Sequence, residues 1–133
     1  MTNKSKKILS EISAGELLDK ISILEIKLEK ITDKNSQKEI NKEYKILKEI
    51  QNSTIKIENK VKDLFKSLKE VNLKLWNIED ELRIHEKNKK FEDKFVKLAR
   101  EVYLNNDNRS KIKSEINEML GSNIKEVKQY VDY

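Results

Sequence analysis

Apolar residues form one unbroken heptad pattern through the middle of the chain, and this pattern constrains the fold more than any other feature. Eight positions step by 4, 3, 4, 3, 4, 3 and 4 residues: Ile57, Val61, Leu64, Leu68, Val71, Leu75, Ile78 and Leu82. Residues at this spacing share one face of an α-helix. A helix over residues 54–86 would be roughly 50 Å long, and it cannot bury this stripe by itself. It needs antiparallel partner helices, a second copy of the chain, or both.

The remaining periodic segments supply those partners. Ser13 followed by Glu16 is a capping-box pattern and predicts a first helix over about 14–31. Ser36 predicts the start of a second helix, over about 37–51. After the long helix we expect helices at about 91–104 and 107–120, separated at the Asn105–Asn108 turn and ended by Gly121, and then a short helix at about 123–131. Residues 1–11 are expected to be frayed. The prediction is one all-α domain over residues 1–133: an antiparallel helical bundle built on the long heptad helix, with the shorter C-terminal helices folded back.

Composition excludes several classes of function. The formal charge of +5 comes from lysines interspersed with 24 acidic residues, so no basic stripe for nucleic acid forms. No apolar run approaches the roughly 20 residues that span a membrane. The absence of cysteine excludes disulfides and thiolate zinc sites. We therefore expect a cytoplasmic protein without metal or cofactor.

Arginine is rare in a chain that uses lysine freely. Only Arg83, Arg100 and Arg109 occur among 29 basic residues, and arginine is the residue suited to forked recognition of phosphate or carboxylate. Arg100 and Arg109 flank the predicted turn, where a helix start would offer free backbone N–H groups. The candidate anion-binding residues are Arg83, Arg100, Arg109, Lys113 and Asn106.

Polar side chains also border the heptad face. Asn72, Trp76, Glu79, Arg83 and Glu86 fall within about 100° of Leu75 on a helical wheel. Arg83 is spaced to pair with Glu79 and Glu86, which favours an internal ion-pair network that fixes the register of the helices. Glu25 lies at the edge of the apolar stripe of the first helix, whereas Asp19 points away from that stripe. The polar candidates are Glu25, Asn72, Trp76, Glu79, Glu86, Tyr103 and Asp107.

Three blocks of sequence resemble a family of small all-helical bacterial and phage proteins that carry a domain of unknown function. The blocks are residues 13–27, residues 72–83, and residues 98–117, which include the Leu98–Tyr103 segment with Asn106, Asp107 and Arg109. The resemblance spans nearly the whole chain. It implies no established activity and only a link to surface-glycan synthesis.

Two functions remain open at this point. We favour a non-enzymatic assembly or protein-interaction module that forms a homodimer along the exposed part of the long helix and binds a protein partner. The alternative is a binding protein or enzyme for a small anion, such as a phosphate, nucleotide or nucleotide sugar, held by the Arg, Glu and Asp residues. The two differ in one observable: a ligand site requires that at least two arginine side chains converge on an open cavity.

Overall fold

The computed structural model of the protein describes residues 6–133, which contain four α-helices and no strand. The helices are α1 (Ala14–Lys30), α2 (Lys34–Thr54), α3 (Asn59–Lys87) and α4 (Asp93–Leu120). The all-α fold is therefore confirmed, with helices that pack together. The antiparallel order and the heptad packing remain predictions. Of the stretch expected to be frayed, residues 1–5 lie outside the described part, and residues 6–13 form no helix.

Helix α1 lies at the centre of the fold and packs against each of the other three helices. Its start is the predicted one, because the Ser13 side chain accepts a hydrogen bond from the Glu16 N–H at 3.1 Å. The helix buries residues over more than half of its circumference, including Leu18, Ile21 and Ile26. An amphipathic surface helix would bury one stripe only, so α1 is an internal helix.

Helix α3 carries the heptad pattern into the core. Val61, Leu68, Val71, Leu75 and Ile78 are buried, and most of them join Leu17, Leu18, Ile21, Ile112 and Ile116 in one apolar cluster. Residues 55–58 are not helical, so α2 and α3 are separate helices. Helix α3 therefore begins at Asn59 rather than near residue 54. The side chains of Ser53 and Thr54 bond back to the carbonyl of Ile50 at the end of α2, which is an alternative to continuing the helix.

Three further sequence predictions of helix limits are wrong. Helix α2 is capped by Asp33, whose side chain accepts from the Ser36 N–H at 2.9 Å, so it starts before Ser36. The predicted turn at Asn105–Asn108 lies inside α4, which runs unbroken to Gly121. The predicted helix at 123–131 is absent. Gly121 does end α4, with φ 60° and ψ 43°, a left-handed conformation that glycine adopts without strain.

Tertiary packing explains why the asparagine-rich stretch stays helical. Leu98, Ile112 and Ile116 anchor both halves of α4 in the core. The Asn105 side chain donates to the Glu101 carbonyl at 2.7 Å, one helical turn back. Its amide group therefore has a hydrogen-bond partner within the helix. The turn preference of Asn is a weak local bias, and burial of the two flanking apolar segments outweighs it.

Candidate functional site

A buried carboxylate joins three of the four helices. Asp19 of α1 is only 1% exposed. Its Oδ1 accepts from Asn72 Nδ2 of α3 at 2.9 Å and from Arg109 Nε of α4 at 2.9 Å, while Arg109 Nη2 donates to Oδ2. The two parallel N–H bonds make this a forked Arg–carboxylate pair, the strongest common form of ion pair. Asn72 also donates to Ser22 at 2.8 Å, which fixes its orientation.

Lys113 extends this network by one turn of α4. Its buried ammonium group donates to Glu16 at 2.8 Å and to Glu126 at 3.1 Å, and it lies 3.9 Å from Asp19. Glu16 therefore has two roles: its backbone N–H bonds to the cap residue Ser13 of α1, and its carboxylate pairs with Lys113 of α4. We refer to Glu16, Asp19, Asn72, Arg109 and Lys113 as the Asp19 cluster.

The charges within the Asp19 cluster stabilise one another. Burial raises the pKa of Asp19, but the hydrogen bonds from Arg109 and Asn72 and the positive charges of Arg109 and Lys113 outweigh burial, so the pKa lies below its ordinary 3.8. Burial lowers the pKa of Lys113, yet the bonds to Glu16 and Glu126 and the charge of Asp19 leave it above 10.5. Asp19, Arg109 and Lys113 are therefore charged at neutral pH, and none of the three is poised to exchange a proton.

The start of α1 is held against α4 by close backbone contact. The Gly15 N–H donates to Asn117 Oδ1 at 2.7 Å, and the Ala14 N–H donates to the Ser122 hydroxyl at 3.0 Å. A Cβ on Gly15 would lie 2.6 Å from the carbonyl oxygen of Lys113. With Ser13 bonded to Glu16, these side chains occupy the N–H groups that a helix start would otherwise offer to an anion.

A second feature is an apolar groove of about 1000 Å³ beside the first turn of α1. The N-terminal segment, α2 and the end of α4 form its walls. Its exposed apolar side chains, which define the groove here, are Ile8, Leu9, Ile12, Ile46, Ile50 and Met119. Lys56 and Glu58 lie on its rim, 3.8 Å apart.

The family comparison matches nearly the whole chain. The family of unknown function DUF6165 matches residues 8–132. The chain belongs to this family. No curated protein and no solved structure matches it. The sequence-based resemblance to a family of unknown function is thus confirmed, while a bacterial or phage origin stays a prediction.

Four of the residues predicted for a site come together in this DUF6165 chain. Asn72, Arg109 and Lys113 belong to the Asp19 cluster, and Asn106 Oδ1 accepts from Arg109 Nη1 at 3.4 Å. The anion site expected at the helix start beside Asn106 does not exist, because no helix begins there. Arg109 instead faces the carboxylate of Asp19.

The other two arginines lie outside the cluster. Arg83 is 73% exposed and lies 3.9 Å from Glu79 and from Asp80 on its own helix. Glu86 pairs with Lys89 instead, at 3.0 Å. Of the predicted internal network of Glu79, Arg83 and Glu86, the Glu79–Arg83 pair is present, but the Arg83–Glu86 pair is not, and this part of α3 faces solvent. Arg100 is exposed and forms no ion pair within residues 6–133.

The remaining polar candidates are dispersed. Glu25 accepts from the Tyr44 hydroxyl at 3.0 Å and pairs with Lys69 at 3.1 Å, which links α1 to α2 and α3. Asp107 bonds to the Tyr133 hydroxyl, and Tyr103 packs edge-on against the Tyr133 ring. Trp76 is half-buried on α3. These residues do not form one pocket.

Two central residues were missed at the sequence level. Asp19 was placed away from the stripe of α1, and Asn117 was not considered. A signal for both was present, because Gly15 is one of only two glycines and lies one turn before Asp19. A glycine inside a helical pattern indicates close approach of another backbone, here that of α4.

Neither metal chemistry nor a membrane span is indicated in the described part of the chain. Within residues 6–133, no three His, Asp or Glu side chains are grouped so that they could hold a metal ion. None of the four helices is long and apolar enough to cross a membrane.

Proposed function

We propose that this protein is a helical assembly module and that the apolar groove joins two copies of it. The observation that carries the proposal is the concentration of exposed apolar side chains in the groove. Ile8 and Leu9 are 91% exposed, and Ile46 is 51% exposed. Apolar groups collected in one concave surface are typical of sites that another protein covers.

A second copy is the occupant that best fits this surface. The concave wall formed by α2 and the end of α4 lies directly beside the protruding Ile8 and Leu9. A two-fold axis would place these two residues of each copy in the groove of the other, and an isologous interface requires such self-complementarity. The rim carries both signs of charge, so Lys56 of one copy can face Glu58 of the other.

The groove replaces the surface first expected for dimerisation. The dimer was first expected along the exposed part of the long helix, but α1 and α4 already cover most of the apolar heptad face of α3 within one chain. A helix face that is buried inside one copy is not available for contact with a second copy.

Anion binding by the three arginines receives less support. Arg109 and Lys113 are both matched by carboxylates inside the fold, and Arg83 and Arg100 lie elsewhere. A guanidinium that already forms a forked pair with Asp19 gains little from a second anion. A link to surface-glycan synthesis stays a prediction on which these contacts have no bearing.

Sedimentation equilibrium at micromolar protein concentration tests the proposed dimer. The wild-type protein should sediment as a dimer, and Ile46→Glu should sediment as a monomer with an unchanged far-ultraviolet spectrum. The matched control is Ile84→Glu, because Ile84 is similarly exposed at 56% but lies near the end of α3, outside the groove. A wild-type monomer throughout the micromolar range, or equal disruption by Ile84→Glu, would rule out this interface.

A further inference from the structure

The C-terminal segment, residues 122–133, runs along α4 without forming a helix. The polar contacts that hold it are Glu126 to Lys113, Lys125 to Glu118, Asn123 to Glu11, Tyr133 to Asp107, and the Ser122 hydroxyl to the start of α1. Val127 and Val131 contribute little apolar packing, since they are 89% and 88% exposed, whereas Ile124, Tyr130 and the Tyr133 ring are partly covered. Polar contacts therefore provide much of what holds the segment, and moving it would expose only a small apolar surface.

The carboxylate of Glu126 lies between two ammonium groups. Oε2 is 3.1 Å from Lys113 of α4, and Oε1 is 3.2 Å from Lys128 of the same segment. Both carboxylate oxygens are engaged by lysine, as the oxygens of a bound phosphate would be. The bond from Lys113, followed by that from Lys128, keeps the pKa of Glu126 below its ordinary 4.5.

A cavity of about 760 Å³ opens around this carboxylate, between the C-terminal segment and α4. Three lysines line it (Lys111, Lys113 and Lys128), and the acidic residues that line it are Glu126 and Asp107. Glu16 and Asp19 hold Lys113 from the α1 side and are not part of the lining. Once the Glu126 side chain leaves, three cations face the single carboxylate of Asp107.

Buried Asn117 supplies a neutral donor to the same cavity. It lines the cavity and is buried, and its Oδ1 is occupied by the Gly15 N–H. Its Nδ2 has no hydrogen-bond partner within residues 6–133. This N–H group is not cut off from solvent, so it can donate to a ligand oxygen in the cavity.

We propose that this cavity is a phosphate-binding site and that the Glu126 carboxylate occupies it when no ligand is bound. A phosphate-bearing small molecule enters when the Glu126 side chain swings out, and its oxygens then take the bonds to Lys113 and Lys128. Phosphate fits the site better than a single carboxylate because it carries close to two negative charges at neutral pH. The site does not use Arg83 or Arg100, and it is independent of the proposed dimer groove.

Isothermal titration calorimetry with inorganic pyrophosphate tests this site. Glu126→Gln keeps the size of the side chain but removes the competing charge, so it should bind pyrophosphate at least about tenfold more tightly than the wild-type protein. The matched control is Glu118→Gln, which removes an equal charge from an exposed pair with Lys125 outside the cavity. The control should bind pyrophosphate as the wild-type protein does.

Lysine substitutions that reverse the tighter pyrophosphate binding of Glu126→Gln would locate the site. Adding Lys113→Gln to Glu126→Gln should abolish the tighter binding. Because Lys113 is buried and also pairs with Glu16, a second double variant uses the exposed Lys111→Gln, which should weaken binding while leaving the melting midpoint unchanged. Equal affinity of Glu126→Gln and the wild-type protein, or a gain that survives both lysine substitutions, would overturn the proposal. Succinate that binds as tightly as pyrophosphate would overturn the preference for phosphate.

Discussion

At the scale of single residues, Asp19 is a buried charge on which the stability of the fold depends. Its carboxylate is buried and receives hydrogen bonds from Asn72 and Arg109. Asp19→Asn would leave the partly buried guanidinium of Arg109 without its countercharge, and breaking a buried pair from one side is strongly destabilising. We expect the free energy of unfolding to fall by about 3 kcal/mol, measured by urea denaturation at neutral pH.

The control for Asp19→Asn is Glu79→Gln, which removes a carboxylate from the exposed pair with Arg83. It should change stability by no more than about 0.5 kcal/mol.

Acid provides a second check. The folded pKa of Asp19 lies below 3.8, so its stabilisation is present above that pH and is lost as pH falls through the folded pKa. The difference between wild type and Asp19→Asn should therefore shrink below pH 3.8, and a difference independent of pH would contradict the ion-pair explanation.

Sequence reasoning found one member of this pair and missed the other for a physical reason. Arg109 was identified because arginine is rare here and because it lies beside the predicted turn. Asp19 was dismissed because a single apolar stripe was assumed for α1. That assumption holds for a surface helix and fails for a central one, where more than one side meets another element and a charge can be buried with its partner.

At the scale of helices, the crossing of α1 and α4 depends on Gly15. Alanine is intrinsically the better helix former, but its Cβ would lie 2.6 Å from the Lys113 carbonyl oxygen and 2.9 Å from Asn117 Oδ1. The backbone oxygen cannot yield without moving α4. We expect Gly15→Ala to destabilise the fold by about 2 kcal/mol in urea denaturation, through overpacking.

Gly121→Ala serves as the comparison for Gly15→Ala. No atom lies within 4 Å of a Cβ at Gly121, but the positive φ of 60° is strained for alanine, at a cost of about 1 kcal/mol. The two losses have different origins, one from packing and one from the backbone. If Gly15→Ala were neutral or stabilising, α1 and α4 could not approach as closely as described.

Helix α4 shows what the sequence contained and what was misread. Leu98, Val102, Asn105, Arg109, Ile112 and Ile116 step by 4, 3, 4, 3 and 4 residues. This is the same pattern as in α3, with polar residues at its two middle positions. The first of them, Asn105, was placed in a predicted turn because Asn favours turns, whereas Arg109 at the second one contacts buried Asp19. The C-terminal segment shows the converse error, since its helical spacing of Ile124, Val127 and Val131 has no apolar surface to pack against.

At the scale of the whole molecule, the helices are unequally supported. Helix α1 packs against the other three, whereas within residues 6–133 the backbone of α2 lies close to that of α1 alone. Helix α2 buries only Ile40 and Gln51, and the buried Oε1 of Gln51 has no hydrogen-bond partner in the described residues. Few buried apolar contacts mark the parts of a protein that open before global unfolding.

Native-state hydrogen exchange should reveal this difference between α1 and α2. At low protein concentration, the amides of Leu18 and Ile21 should exchange only through global unfolding, and those of α2 should exchange on the order of 100-fold faster through local opening. Raising the concentration should slow exchange in α2 selectively, because Ile46 and Ile50 lie on α2 and the proposed dimer covers them. Protection of α2 equal to that of α1 at the lowest concentration would show that the four helices open as one unit. If α2 opens faster than α1 but its exchange does not respond to protein concentration, the helices are unequally supported as described. In that case α2 does not belong to the dimer interface.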